Sequence, residues 1–98
     1  MLAELTHESF GPLLGSGFAI AVGEHEDVLT LTEVVPRPEL TGYARTPFTL
    51  VFNGGRNDAL FHSQLLELRH PELGTLPLLI SPVGRNADGT FRYEAVFG

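Results

Sequence analysis

The fold is decided by residues 63–83, which read SQLLELRHPELGTLPLLISPV. Leucines alternate with charged residues over Ser63–His70, and this period of two is typical of a strand that buries one face. The break HPELG then supplies a proline with a fixed φ and a glycine that tolerates a positive φ, as a tight turn requires. A second apolar run returns over Thr75–Val83, and its two prolines predict an exposed side or a bulge. The stretch therefore predicts an antiparallel β-hairpin.

The same period of two continues on both sides of this hairpin. Toward the C-terminus, Phe91, Tyr93, Ala95 and Phe97 share one face of a strand. Toward the N-terminus, three more apolar runs are separated by charged turns, prolines or glycines. The six predicted strands are Ser16–Val22, Val28–Val35, Pro47–Phe52, Ser63–His70, Thr75–Val83 and Thr90–Phe97.

One short helix is predicted before the strands. Thr6 is a suitable N-cap, Phe10 and Leu13 lie on one helical face, and Gly11 with Pro12 limits the helix to one or two turns. The predicted fold class is therefore mainly β. We expect a small antiparallel six-stranded barrel or rolled meander, closed at one end by the N-terminal helix.

Composition bounds the organisation of the chain and its partners. The 98 residues are enough for a single domain, over residues 1–98, and too few for two. The formal net charge is −6, and the only basic side chains apart from histidine are six dispersed arginines, so we expect no nucleic-acid partner and no membrane docking. No signal peptide or spanning segment is visible, which predicts a cytoplasmic protein. The absence of cysteine excludes thiol catalysis and disulfides.

The candidate site residues are His25, His70 and Glu72, since histidine titrates nearest to neutrality. If these residues have a chemical role, the protein is a small-ligand-binding β-barrel or a minor enzyme that uses either His70 with Glu72 or His25. This is the alternative to the function predicted below. However, the run Glu24–Asp27 around His25 is typical of a solvated hairpin tip and lacks metal-ligand spacing. Turn chemistry accounts for His70 and Glu72, and Ser16 lies outside any nucleophile-elbow motif. We expect no catalytic residue, no cofactor and no metal.

Apolar residues also fall on the nominal outer face of the predicted sheet. They are Val51, Leu65, Leu79 and Val96, and such residues are typical of an interface. We therefore expect a non-enzymatic structural or protein-interaction module that works as a subunit of a larger assembly. Its partner would be another protein or a second copy of the chain.

Four motifs carry a resemblance to a known family. They are L-T-x-E-x-F from Leu5, P-F-x-L-V-F from Pro47, H-P-E-L-G from His70 and Y-E-A-V-F from Tyr93. In this order they resemble a bacterial family of small uncharacterised domains, over nearly the whole chain. The resemblance implies a compact β domain and a link to phage-tail-like or tail-collar assemblies. It supplies no catalytic residues.

Overall fold

A short helix and six strands make up the computed structural model, which describes residues 5–40, 42 and 46–97. Helix α1 spans His7–Phe10 and continues into a 3₁₀ turn over Gly11–Leu13. Thr6 stands at the N-cap, as predicted, and its backbone N–H donates to the Ser9 hydroxyl at 3.1 Å. No helix in the described part of the chain has the length and apolarity to cross a membrane. The strands are β1 (Gly17–Val22), β2 (His25–Pro36), β3 (Phe48–Asn53), β4 (Gln64–His70), β5 (Gly74–Arg85) and β6 (Phe91–Phe97).

The strands close into an antiparallel barrel in the order β1-β2-β3-β6-β5-β4, and β4 returns to β1 through the pair Ala19 and Arg69. The predicted mainly β fold with one short helix is confirmed, and the closed barrel is the arrangement found. The predicted hairpin is β4–β5, which is paired from Gln64 with Ile80 to His70 with Gly74. The glycine of its turn has a φ of 76°, a left-handed conformation that favours glycine.

The connection between β3 and β4 crosses one end of the barrel, because these consecutive strands are not neighbours. Its first residue, Gly54, donates its N–H to the Phe91 carbonyl at 2.8 Å. Further along, Phe61 is buried and its N–H donates to the Tyr93 hydroxyl at 3.1 Å. Burial, with a smaller contribution from the charge of Asp27, raises the pKa of Tyr93 above the usual 10.0. The hydroxyl therefore stays protonated at neutral pH and accepts this bond.

Helix α1 closes the opposite end, as predicted. Phe10 is fully buried, and its ring centre lies 5.8 Å from that of Phe48 and 5.4 Å from that of Phe97. These two rings stack on each other at 4.6 Å, where β3 begins and β6 ends. The helix is too short to be stable alone, so the burial of Phe10, together with that of Leu13 in the 3₁₀ turn, holds it on the barrel.

The core follows the predicted alternation, since every second residue of each strand faces inward except where bulges interrupt β2 and β5. The inward-facing aromatic residues of the strands are buried except Phe91, which is partly exposed and carries the Arg85 guanidinium 5.2 Å from its ring centre. Burial of one large apolar side chain is worth about 1.5–3 kcal/mol, so the barrel is held mainly from inside. The core comprises Phe10, Leu13, Phe18, Ile20, Leu29, Leu31, Phe48, Leu50, Phe52, Phe61, Leu66, Leu68, Leu76, Leu78, Ile80, Tyr93, Ala95 and Phe97.

Two β-bulges adjust the direction of outward-facing side chains. In β2 the register to β3 shifts between Leu31 and Glu33, and the hydroxyl of the intervening Thr32 donates to the Val51 carbonyl at 3.1 Å. In β5 the register to β6 shifts between Pro82 and Gly84, which confirms the bulge that the prolines predicted. A bulge turns the following residues toward the other face. The first bulge therefore brings Glu33 to the outside of the barrel, opposite Val51.

Candidate functional site

His70 is buried at the end of β4 rather than exposed in the turn. Its Nε2 lies 3.0 Å from the Ser16 hydroxyl, its ring centre lies 4.6 Å from that of Phe18, and its Nδ1 accepts the Glu72 backbone N–H at 3.1 Å. The Ser16 hydroxyl in turn donates its single proton to the Leu13 carbonyl at 2.5 Å. The Ser16 oxygen must therefore accept a proton from Nε2, which assigns the neutral tautomer with Nε2 protonated.

This tautomer gives the His70 and Ser16 pair a structural role. A histidine that activates a serine nucleophile accepts the hydroxyl proton, whereas His70 donates to Ser16. Its other ring nitrogen is occupied by the Glu72 backbone, as the turn interpretation predicted. The pair thereby joins the β4–β5 turn to the segment between the helix and β1.

The three candidate site residues are not brought together. His70 and Glu72 share the β4–β5 turn, but their hydrogen bond involves the backbone of Glu72, whose side chain is exposed. His25 pairs with Val22 at the far end of β1, while His70 lies beside Ser16, just before β1 begins. Acid–base chemistry that required all three would need groups from opposite ends of one strand.

The run Glu24–Asp27 is only partly a solvated hairpin tip, which corrects the prediction. β2 begins at His25, and Asp27 is 8% exposed within it. The Gly55 N–H donates to both oxygens of the Asp27 carboxylate, at 3.0 Å to Oδ1 and 3.2 Å to Oδ2. The Val28 N–H also donates to Oδ1, at 2.7 Å. Asp27 therefore fastens the β3–β4 connection to the barrel.

A signal for this contact was present in the adjacent glycines Gly54 and Gly55. A Cβ at Gly55 would lie 2.9 Å from the Asp27 carboxylate, and one at Gly54 would lie 3.2 Å from the Tyr93 ring. Paired glycines that follow a strand often mark such a close approach of the backbone. Among residues 5–40, 42 and 46–97, no three His, Asp or Glu side chains are grouped as metal ligands would be.

Exposed aliphatic residues of three adjacent strands form a row across the outside of the barrel. Leu65 on β4 pairs directly with Leu79 on β5. The register that pairs Ser81 with Glu94 also puts Leu79 level with Val96 on β6. Leu65, Leu79 and Val96 are 68%, 61% and 65% exposed. We call these three residues the aliphatic row.

Val51, the fourth residue predicted for this surface, is only 7% exposed, which corrects the prediction. It lies directly between Glu33 on β2 and Glu94 on β6, whose longer side chains flank it. Thr49 on the same strand is also buried, and its hydroxyl accepts the Arg37 Nε–H at 3.3 Å. Polar side chains of the neighbouring strands thus cover the outer face of β3.

A polar groove of about 360 Å³ adjoins the β6 end of the aliphatic row. It is lined by Glu33, Asn53, Asn86, Arg92 and Glu94, together with Val51 at its base. The Asn86 side-chain amide donates to the Asn53 side-chain oxygen at 3.2 Å. In the part of the chain that the structure describes, the three charged residues of the groove form no ion pair. No motif in the sequence indicated this groove.

The fold and the site define a small closed antiparallel barrel that exposes an aliphatic row and holds its buried histidine in structural hydrogen bonds. Residues 5–97 match the family model described as a domain of unknown function, DUF6916, so the chain belongs to that family. This confirms the predicted resemblance to a family of unknown function. Comparison with the curated proteins and with the solved structures found no match.

Proposed function

We propose that this domain is a structural or protein-interaction module that binds another protein chain through the aliphatic row. The observation that carries the proposal is the exposure of Leu65, Leu79 and Val96 at 61–68% on three adjacent strands. Together they expose roughly 300 Å² of apolar surface, which is at the lower end of the roughly 300–600 Å² of the largest patch on a typical monomer, and such patches often have a function.

The position of the row favours an interface. The outer face of a β-sheet offers a rigid platform, so little conformational entropy is lost when a partner covers it. A stable interface needs about 800 Å² from each partner, so the row can supply the apolar centre while the polar residues around it supply the rim. Glu67 and Arg69 border the row on β4, and Glu94 borders it on β6.

The alternative of a ligand-binding barrel or minor enzyme rests on His25, His70 and Glu72. His25 lies at the opposite end of β1 from His70, and both ring nitrogens of His70 take part in hydrogen bonds. The interior of the barrel holds large core side chains, as expected for a small barrel. Nothing in the geometry of residues 5–40, 42 and 46–97 favours the alternative, and the interaction module remains our proposal.

The resemblance described above extends the proposal to assemblies of the phage-tail type. In such an assembly a small rigid barrel would occupy a fixed position between larger subunits and would contribute its outer face rather than a catalytic centre. The aliphatic row is the part of that face where we expect the contact.

The test is to remove the apolar character of the row without disturbing the core. Leu79→Asn changes the row, and Leu14→Asn is the matched control, because Leu14 is 51% exposed on the connection before β1. Proteins captured by the wild-type domain from its source cells are compared quantitatively with those captured by each variant, and light scattering records self-association.

We expect one specific partner, or a dimer, to be lost from Leu79→Asn and kept by Leu14→Asn. The proposal is overturned if the wild-type protein is a monomer at high concentration and every captured protein is recovered equally by both variants.

A further inference from the structure

The outer face of β6 presents three kinds of side chain in succession. Val96, Glu94 and Arg92 alternate with the buried residues of the strand and therefore point outward. Consecutive outward side chains on a strand are about 7 Å apart. Along β6 the outer face is therefore apolar at Val96, acidic at Glu94 and basic at Arg92.

Neighbouring strands widen this pattern into three bands. Leu79 lies level with Val96 and extends the apolar band, as the register between β5 and β6 requires. Glu33 lies beyond Val51 on the same level as Glu94 and provides a second carboxylate. The acidic band therefore contains two carboxylates, one on each side of a small apolar side chain.

Arg92 leans away from those carboxylates. A Cβ at Gly84 would lie 3.0 Å from one terminal nitrogen of the Arg92 guanidinium and 3.6 Å from its central carbon, so the side chain lies over the β5 bulge. β5 is on the opposite side of β6 from Glu33. The positive and negative groups of the groove are consequently held apart, and each keeps its hydrogen-bonding capacity for a partner.

We propose that this surface binds an extended segment of a partner protein in which an aliphatic, a basic and an acidic residue occupy every second position. The inference rests on the proposed function and specifies the partner. The aliphatic residue would contact Val96 and Leu79, the basic residue would reach Glu94 and Glu33, and the acidic residue would reach Arg92. An extended chain has the same repeat as β6, so all three contacts form together.

A second copy of the domain fits this surface poorly. An antiparallel copy centred on Glu94 would place Glu94 against Glu94. One centred on Tyr93 would pair Arg92 with Glu94 but set Val96 against Thr90, so no antiparallel register matches all three bands. Each copy also has a formal net charge of −6, which opposes association of two identical faces. Charge complementarity therefore favours a different chain as the occupant.

The experiment uses two capped peptides of identical composition. One has the order Thr-Leu-Thr-Arg-Thr-Glu-Thr, and the other exchanges its Arg and Glu. Each is titrated into the isotopically labelled domain, and the dissociation constant is taken from backbone amide shifts. We expect the first peptide to bind about fivefold more tightly, with shifts concentrated on β6, on its two neighbours β5 and β3, and on β2 around Glu33.

A charge-exchanged protein supplies the matched control. The double variant Arg92→Glu with Glu94→Arg keeps both side chains on the exposed face and is expected to prefer the second peptide, by a smaller factor because Glu33 is unchanged. Unchanged amide spectra away from β6 would show that the variant is folded.

The possible results separate this inference from the proposed function. Equal binding of the two peptides, or binding of neither, overturns the inference. If a partner is still lost from Leu79→Asn in that case, the proposed interaction module stands and only the partner chemistry is wrong. If the wild-type protein is a dimer that Leu79→Asn dissociates, the proposed interaction module also stands and the partner chemistry is wrong, because the occupant is then a second copy.

Discussion

Gly74 and Gly11 differ in backbone conformation but offer a new methyl group the same free space. Gly74 has a φ of 76° in the β4–β5 turn, whereas Gly11 has a φ of −51° where α1 passes into the 3₁₀ turn. A Cβ built on either residue meets no heavy atom within 4 Å outside its chain neighbours. Gly11 precedes Pro12, however, and proline disfavours a helical backbone in a preceding residue that carries a Cβ, so Gly11→Ala has a cost of its own. The matched control is Gly74→Asn, because asparagine also adds a side chain but tolerates the left-handed conformation.

The expected difference follows from two contributions. Alanine reduces the entropy of the unfolded chain and favours folding by about 0.4–1 kcal/mol at either site. At Gly74 alone, the left-handed conformation costs a residue with a Cβ about 1–2 kcal/mol. Asparagine at the same position reduces the entropy of the unfolded chain in the same way, so Gly74→Ala should be less stable than Gly74→Asn by up to about 1–2 kcal/mol. In a domain of this size that corresponds to a difference of about 4–16 °C in Tm.

Urea unfolding followed by far-ultraviolet circular dichroism measures the free energies of unfolding directly. Equal slopes of the transitions are required, since a changed slope would indicate an altered unfolded or folded state. Gly74→Val should be at least as unstable as Gly74→Ala, because a β-branched side chain tolerates positive φ poorly. Equal stabilities of Gly74→Ala and Gly74→Asn would refute the assigned turn.

Three further substitutions test the ends of the barrel. Asp27→Ala removes the acceptor of the Gly55 N–H and should lower the free energy of unfolding by about 2–4 kcal/mol. Hydrogen exchange should be accelerated first in residues 54–63, and uniform acceleration would contradict this local role. Tyr93→Phe should cost about 1–3 kcal/mol by leaving the buried Phe61 N–H unpaired. The pKa of Tyr93 is raised above 10.0 in the folded protein, so the wild-type protein should lose stability as the pH rises from 10.0 through the folded-state pKa. Parallel unfolding of the two proteins should show a smaller alkaline loss of stability in Tyr93→Phe. Phe10→Ala should cost about 3–5 kcal/mol, and calorimetry showing a loss below 1 kcal/mol would mean that the helix does not close the core.

The local features of the fold were predictable because they depend on neighbours in the chain. The alternation in 63–70 and 91–97 assigns inward and outward faces without knowledge of any partner strand. The prediction of the HPELG turn was correct for the same reason, since proline and glycine determine their own backbone angles. Leu65, Leu79 and Val96 inherit their exposure from this local alternation.

The errors arose where distant segments meet. Asp27 stands in a charged run that is typical of a solvated tip, and only the backbone of Gly55, which lies 28 positions further along the chain, buries it. Val51 alternates correctly onto the outer face, but the bulge in β2 brings Glu33 beside it and Glu94 flanks it from β6. A periodic pattern contains no information about which side chain of another strand will cover a given residue.

The sequence by itself determined six strands, their inward faces, the β4–β5 hairpin and the short N-terminal helix, because backbone preferences and side-chain alternation act over a few residues. Only the tertiary structure decided that β3 pairs with β6, that β4 closes on β1, and that three charged residues line one groove. These features depend on which strands become neighbours, and that choice is made by packing one common core.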